Sequence, residues 1–226
     1  MPMTDSSLLF YQLGNQVEAF STRCKSTLPY PVLQPKQIHS DKIYVVKRLT
    51  QETPIGYDAL VTALPNFAIG VRTADCIPVL LYDCRNRVIA AVHCGWRGTV
   101  LKLPEKVIRL MMLEYGSHPE CIKAVIGPGI GPDSFQVKED VVSAFDNVGF
   151  SMDEILINKG TLLMPDYFID LWKANSLILE KIGIISSNIF TAGICSFINH
   201  DEFYSARYLT NNKCPRTISS IMLIKR

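Results

Sequence analysis

The chain has 226 residues, is 48% hydrophobic and 19% charged, and carries a formal charge of +2. This is the composition of a folded globular protein with a sizeable core, read as a single domain over residues 1–226. A charge so near zero excludes bulk electrostatic attraction to nucleic acid or to a membrane surface. No run approaches the roughly 18 apolar residues of a membrane span. The start, MPMTDSSLLF, lacks a basic segment followed by a long apolar stretch. Seven cysteines, an odd number without framework spacing, fit a cytoplasmic protein with reduced thiols.

In chain order, Ser7–Leu13 reads as an opening strand. The segment Gly14–Pro35 is polar and contains proline, and is expected to cover the surface. Lys42–Arg48 is a second strand, and Gly56-Tyr57-Asp58 opens a short apolar run to Thr62. Three further apolar runs follow: Phe67–Val71, Ile77–Tyr82 and Val88–Val92. Each suits a buried strand and is too short for a helix. Arg85-Asn86-Arg87 between the last two predicts a hairpin. Residues Val100, Leu103, Val107, Leu110 and Met111 then fall at helical steps. Pro104 suits a first turn, so the helix runs from there to about Tyr115, with Gly116 as its stop.

Ile122–Ile126 is another strand, followed by the loop Gly127-Pro-Gly-Ile-Gly-Pro132 and a short helix over Val137–Phe145. Pro165–Ile182 reads as a helix with Asp166 as N-cap and Gly183 at its end. Ser187–Ala192 is a strand, Gly193–Arg207 is turn-rich, and Ile218–Ile224 closes the chain as a strand. Many strands with few, unevenly spaced helices predict an α/β fold bordering on α+β, with mixed sheets flanked by helices.

The reactive side chains gather at strand ends. His39 precedes a strand, Cys76 follows one and precedes another, and His93 ends one. Two imidazoles and a thiolate form a ligand set that zinc accepts, leaving a fourth position open. Such a metal lowers the pKa of bound water to about 7. The plainer reading is a core cysteine with two hydrogen-bonded histidines. Another pairs a Cys76 nucleophile with His93 as base, with Asp58 free to orient the base. Asp75, adjacent to Cys76, points to the opposite face in a regular strand. Arg72 and Arg97 flank the same residues and carry the planar fork that binds phosphate or carboxylate. The GPGIGP loop is either an anion cradle or a tight turn. His118 and His200 fall in surface loops, outside the ligand set. Cys24, Cys84, Cys121 and Cys214 lack zinc-ribbon spacing and read as buried or incidental. Cys94 is expected to point away from His93, and Cys195 to be a small buried residue or to line a pocket.

The segments QIHSDKIYVV, GYDALVT, VRTADCIPVLLYD, AAVHCGWRGTV, AVIGPGIGPDSFQV, DLWKANSLIL, GICSF and FYSARY, in this order, span nearly the whole chain. They resemble the bacterial laccase-domain family, once labelled multicopper polyphenol oxidases and now regarded as purine nucleoside phosphorylases with additional adenosine deaminase activity. The resemblance implies one α/β domain with a pocket near the metal. It implies His39, Cys76 and His93 as zinc ligands, with copper as an alternative metal. It implies purine nucleosides and inorganic phosphate as substrates. Arg72 is then the contact to phosphate or substrate and Arg97 a weaker one, while Gln37 and Asp75 position ligand or substrate. The assembly is expected to be a monomer or a homodimer. The chain departs from the family at Ser40, where glycine is common, and at Cys94, where alanine is common. It departs again at Cys195-Ser196 and Cys214-Pro215-Arg216. A multicopper centre needs more histidines than the four present. The remaining alternatives are a single-copper oxidase, a metal-free Cys–His hydrolase and a non-catalytic nucleoside-binding protein.

Overall fold

A computed structural model describes residues 7–161, 163–209 and 214–225. Its centre is the predicted hairpin: Ile77–Asp83 pairs antiparallel with Val88–Cys94, and Arg87 turns at φ 54°. Every residue of both strands is buried. They lie inside a six-stranded mixed sheet, in the order Ile189–Thr191, Ile122–Ile126, Ile77–Asp83, Val88–Cys94, Ala59–Thr62, Ile43–Val46.

Each face of this sheet has its own cover, which explains why the runs are continuously apolar rather than alternating. Val79, Leu81, Ala90 and Val92 pack into a cluster with Leu103, Val107 and Met111 of the helix Leu103–Tyr115 and with Leu171, Ala174 and Leu179 of the helix Leu171–Lys181. The alternate residues Leu80, Tyr82, Ile89 and Ala91 meet Ile69, Val71 and Ile221 of a second sheet. That sheet has five strands: Leu8–Phe10, Val17–Thr22, Thr217–Leu223, Ala68–Thr73 and Val32–Leu33. Full burial of one such aliphatic side chain stabilises by about 1.5–3 kcal/mol. The hairpin is therefore a rigid platform, and its open end carries the chemistry.

The structure corrects the sequence reading in several places. The strand predicted over Phe67–Val71 runs over Ala68–Thr73 and belongs to the five-stranded sheet, a partition between sheets that the sequence reading did not address. The segment expected to cover the surface contains Val17–Thr22, a largely buried strand. Its polar residues misled because their partners are also buried: the Ser21 hydroxyl bonds those of Tyr11 at 2.7 Å and Ser219 at 2.6 Å. The helix predicted from Pro165 begins at Leu171. Asp170 is its N-cap, accepting from the Lys173 amide at 2.9 Å. Before it, Tyr167–Ile169 is the middle strand of a three-stranded sheet with Gln136–Val137 and Leu156–Asn158, and Asp166 accepts from Gln136. The short helix starts at Glu139 rather than Val137 for the same reason. Cys84 is exposed and Cys24 and Cys121 are half-buried, so of the four cysteines set aside only Cys214 lies in the interior. Among the described residues, no helix is long and apolar enough to cross a membrane.

Candidate functional site

Strand register brings the candidate residues together. His93 pairs with Pro78 and Cys94 with Ile77 across the hairpin, so the next pair at the open end sets Cys76 against Gly95. On the other side Val92 pairs with Ala59, which sets His93 against Asp58. Opposed residues on neighbouring strands share a face. Asp58, His93 and Cys76 therefore converge on the sheet face that looks toward the five-stranded sheet. Cys94 takes the other face and is fully buried in the helix-side cluster, as expected.

His39 arrives from the loop before Ile43–Val46. It adopts φ 62°, a left-handed conformation that costs a non-glycine residue on the order of 1–3 kcal/mol. Asp58 holds that loop. Its Oδ1 accepts from the His39 amide at 3.0 Å, and its Oδ2 from the Ile38 amide at 3.3 Å, the Ser40 amide at 2.6 Å and the Ser40 hydroxyl at 2.7 Å. Asp58 Oδ1 also lies 2.8 Å from His93 Nδ1. One buried carboxylate thus positions both histidines, and Ser40, where the family commonly has glycine, adds a hydroxyl donor to it.

The ligand atoms of His39, Cys76 and His93 lie within 4.8 Å of one another. Cys76 Sγ is 3.9 Å from His39 Nε2, and the two imidazole rings meet edge to face at 4.9 Å. Among the described residues this is the cluster of His, Cys, Asp or Glu able to hold a metal ion. The donor set fits one: two nitrogens and a sulfur in reach of a common point, one imidazole held from behind by a carboxylate.

Burial raises the Cys76 thiol, but the charge of His93 and hydrogen bonds from His39 and His93 outweigh it and bring the pKa down to about 6. Burial lowers His93, yet the Cys76 thiolate and Asp58 carry it up to about 9. Burial also raises Asp58, while hydrogen bonds from His93 and Ser40 hold it well below the usual carboxylate range. In chelator-treated protein the pair is therefore thiolate and imidazolium between about pH 6 and 9. The lowered thiol stabilises the fold at high pH and loses that contribution as pH falls through 6. The raised imidazole stabilises at low pH and loses it as pH rises through 9. Alkylation of Cys76 by iodoacetamide, followed by peptide mass spectrometry, is expected to reach half its maximal rate near pH 6. A Cys76 midpoint at 8 or above, the ordinary thiol range, contradicts this electrostatic reading.

Gly95 keeps the thiol's place open. A Cβ there would stand 2.8 Å from Cys76 Sγ and 3.4 Å from His39 Cδ2. Gly95→Ala is expected to cost about 1–3 kcal/mol through overpacking. It should also weaken metal binding, read by competition with a chromophoric chelator, while the circular-dichroism spectrum stays native. Wild-type metal affinity in that variant would show that the contact relaxes freely.

Of the remaining candidates, Asp75 adjoins Cys76 in the chain, while Arg72 lines a groove to which none of the three ligands contributes. Gln37 clamps the Arg72 backbone, its Nε2 donating to the Arg72 carbonyl and its Oε1 accepting the Arg72 amide, both at 2.8 Å. Arg72 is exposed and lines a groove of about 900 Å³ with Tyr30, Gln34, Lys36 and Phe67. Asp75 is not in a strand; at φ 82° it makes the turn between the two sheets. Its Oδ1 accepts from the Ser196 hydroxyl at 2.8 Å and its Oδ2 from the Arg207 amide at 2.7 Å. The turn-rich segment is thereby pinned beside Cys76, a role for Ser196 and Arg207 that sequence reasoning missed. The GICSF and FYSARY segments were their only signal. Arg207 and Trp96 line a second groove, of about 770 Å³, with Phe135 and Gln136. The Arg97 guanidinium stacks 4.2 Å from the Trp96 ring centre.

The GPGIGP loop is a packed turn rather than an anion cradle. The amides of Gly127, Gly129, Ile130 and Gly131 donate to Pro78 O, Ile194 O, Asp75 O and Cys195 Sγ. Cys195 is buried there. His200 stacks on Tyr208 at 3.5 Å and His118 faces Glu120, both outside the metal cluster.

A mixed-sheet α/β scaffold with an imidazole–thiolate–imidazole cluster at its strand ends defines a class of protein. The chain belongs to the multi-copper polyphenol oxidoreductase laccase family, whose sequence model matches residues 14–224. It is 38% identical over 208 residues to a Bacteroides thetaiotaomicron protein named purine nucleoside phosphorylase, covering 88% of this chain and 76% of that one. It is 35% identical over 198 residues to adenosine deaminase RL5 from an unknown prokaryotic organism, covering 84% and 74%. Its fold is that of the Bacillus licheniformis hypothetical protein YfiH, with a TM-score of 0.86 at 24% identity over 96% of both chains.

Proposed function

We propose that the chain is a zinc-dependent cytoplasmic enzyme of purine nucleosides. It converts adenosine, inosine, guanosine or methylthioadenosine and phosphate to the free base and the phosphorylated sugar, ribose 1-phosphate for the ribonucleosides, and it deaminates adenosine. The observation that carries this reading is the convergence of His39, Cys76 and His93 within 4.8 Å, in a chain whose relatives bear the names of those two activities. These three side chains hold the ion, and a bound zinc supplies Lewis-acid chemistry and an ionised nucleophile at neutral pH.

The protein groups take the other tasks. In phosphorolysis the sugar gains positive charge as its bond to the purine breaks, so a held anion and a stabilised leaving base lower the barrier. Arg72, with its backbone clamped by Gln37, presents a guanidinium fork to phosphate. Deamination needs a proton carried to the departing amine. Asp58 is poorly placed for this: it is buried and already accepts five donors. Asp75 is half-buried, accepts one donor on each oxygen, and keeps lone pairs for a proton.

The test is incubation with adenosine, inosine and phosphate, following adenine, hypoxanthine and ammonia. Release of base that requires phosphate, and release of ammonia from adenosine that does not, both lost on chelation and restored by zinc, are the expected results. Binding without turnover leaves a nucleoside-binding protein, and activity restored by copper alone replaces zinc with copper as the working metal. One observation favours a second reading. Cys76, His93 and Asp58 are also arranged as nucleophile, base and orienting carboxylate. Full turnover after thorough chelation would move the assignment to that Cys–His–Asp hydrolase.

A further inference from the structure

We propose that Cys84 and Cys121 form a second reactive site, a dithiol that low-molecular-weight disulfides oxidise to an intramolecular disulfide. The strand Ile77–Asp83 pairs antiparallel with Ile122–Ile126: Leu80 faces Val125, Tyr82 faces Lys123 and Asp83 faces Ile122. One step beyond, Cys84 faces Cys121. The Cys84 amide donates to the Cys121 carbonyl at 3.4 Å, and the Cys84 thiol lies 3.3 Å from the same oxygen. Cys84 opens the turn after Asp83 and Cys121 ends the short 3-10 turn Pro119–Cys121 before the partner strand; continuing the alternation of Leu80 and Tyr82 and of Val125 and Lys123 by one step puts both side chains on one side. The Cys121 amide turns to the His118 carbonyl, so the pair shares one backbone bond; opposed residues of an antiparallel ladder have Cα atoms about 4.5–5.5 Å apart, inside the roughly 4.4–6.8 Å that a disulfide spans.

Access and chemistry agree with the geometry. Cys84 is exposed and Cys121 half-buried, and both are free thiols. Cys94, Cys195 and Cys214 are buried. Cys84 attacks first: its thiolate takes one sulfur of the reagent disulfide, the reagent's S–S bond breaks, and one reagent thiolate leaves. Cys121 then attacks the Cys84 sulfur of the mixed disulfide and expels the second thiolate. Two cysteine thiols are oxidised by two electrons, one reagent disulfide is reduced to two thiols, and these take up the two protons. The pair stands at the opposite end of the strand Ile77–Asp83 from Cys76, roughly 25 Å away at about 3.3 Å per residue. The bond closes a loop that contains His93 and the helix Leu103–Tyr115 without touching the metal cluster.

The experiment treats the zinc-loaded full chain with glutathione disulfide, blocks the remaining thiols with iodoacetamide, and maps peptides without reduction. The expected product is a peptide pair joined through Cys84 and Cys121, with two of the seven thiols lost. Dithiothreitol reverses it, and nucleoside turnover is unchanged. In Cys121→Ser the reaction is expected to stop at glutathione on Cys84. A wild-type protein that also stops there, or whose Cys84 and Cys121 stay reduced under excess reagent, overturns the proposal. Because the readout is the joined peptide, it stands or falls independently of the nucleoside reading.

Discussion

Asp58→Ala is expected to lower folding stability by about 3–5 kcal/mol, the usual consequence of breaking a buried charge pair from one side. At this chain length that corresponds to a fall in melting temperature of about 6–20 °C. The reason is concentration of function in one carboxylate. Five donors converge on it, from Ile38, His39, Ser40 and His93, and its side chain is fully buried. Alanine leaves those donors without an acceptor and His93 without the group that fixes its ring. It also releases His39 from its left-handed backbone conformation, whose cost the Asp58 contacts offset. Metal affinity is expected to fall by about 10- to 100-fold, as when the partner behind a metal-bound histidine is lost. Asp58→Asn keeps the volume and one acceptor oxygen, but turns an NH2 group toward donors, so it should lie between wild type and alanine. Denaturant titration and zinc competition measure the two effects separately. An alanine variant with wild-type stability would show that water replaces the carboxylate and that the loop at His39 is held by something else.

How far the site was legible in the sequence follows from the range of the interactions that build it. The hairpin could be read because two apolar runs flank three polar residues, and a local pattern fixes a local pairing. The choice of His39, Cys76 and His93 rested on ligand chemistry and on motifs, since no spacing rule brings residues 39 and 76 together. What joins them is register between strands distant in the chain. That register also sets Asp58 behind His93, the orienting place that the sequence offered it in the Cys–His reading. Division of the central runs between two sheets was hidden for a similar reason. Ala68–Val71 and Ile77–Tyr82 are both buried runs, and the turn at Asp75, with φ 82°, carries the chain from one sheet to the other. The missed strands Val17–Thr22 and Tyr167–Ile169 fail differently. In the first, buried serines satisfy one another across the sheet. In the second, pairing with Leu156–Asn158 overrides a helical periodicity that truly begins at Leu171.

The second large effect concerns His39, because it separates the two readings of the cluster. If the site works through a metal, His39→Ala and Cys76→Ser each remove a ligand, and both are expected to abolish bound zinc. Turnover should then fall by more than the roughly 10- to 100-fold that loss of a supporting partner causes. Serine is not a rescue, since a neutral hydroxyl is a far poorer donor to zinc than a thiolate. If the site works through a Cys76 nucleophile, only Cys76→Ser is damaging. His93 and Asp58 remain as base and orienting group, and His39 contributes little beyond a 3.9 Å contact with the sulfur. The two variants therefore move together under one mechanism and apart under the other. kcat/KM for adenosine and inosine, measured beside metal content on the same preparations, reads the difference. His39→Ala that loses zinc but retains wild-type turnover would remove the metal from the reaction and leave the thiolate–imidazolium pair to carry it.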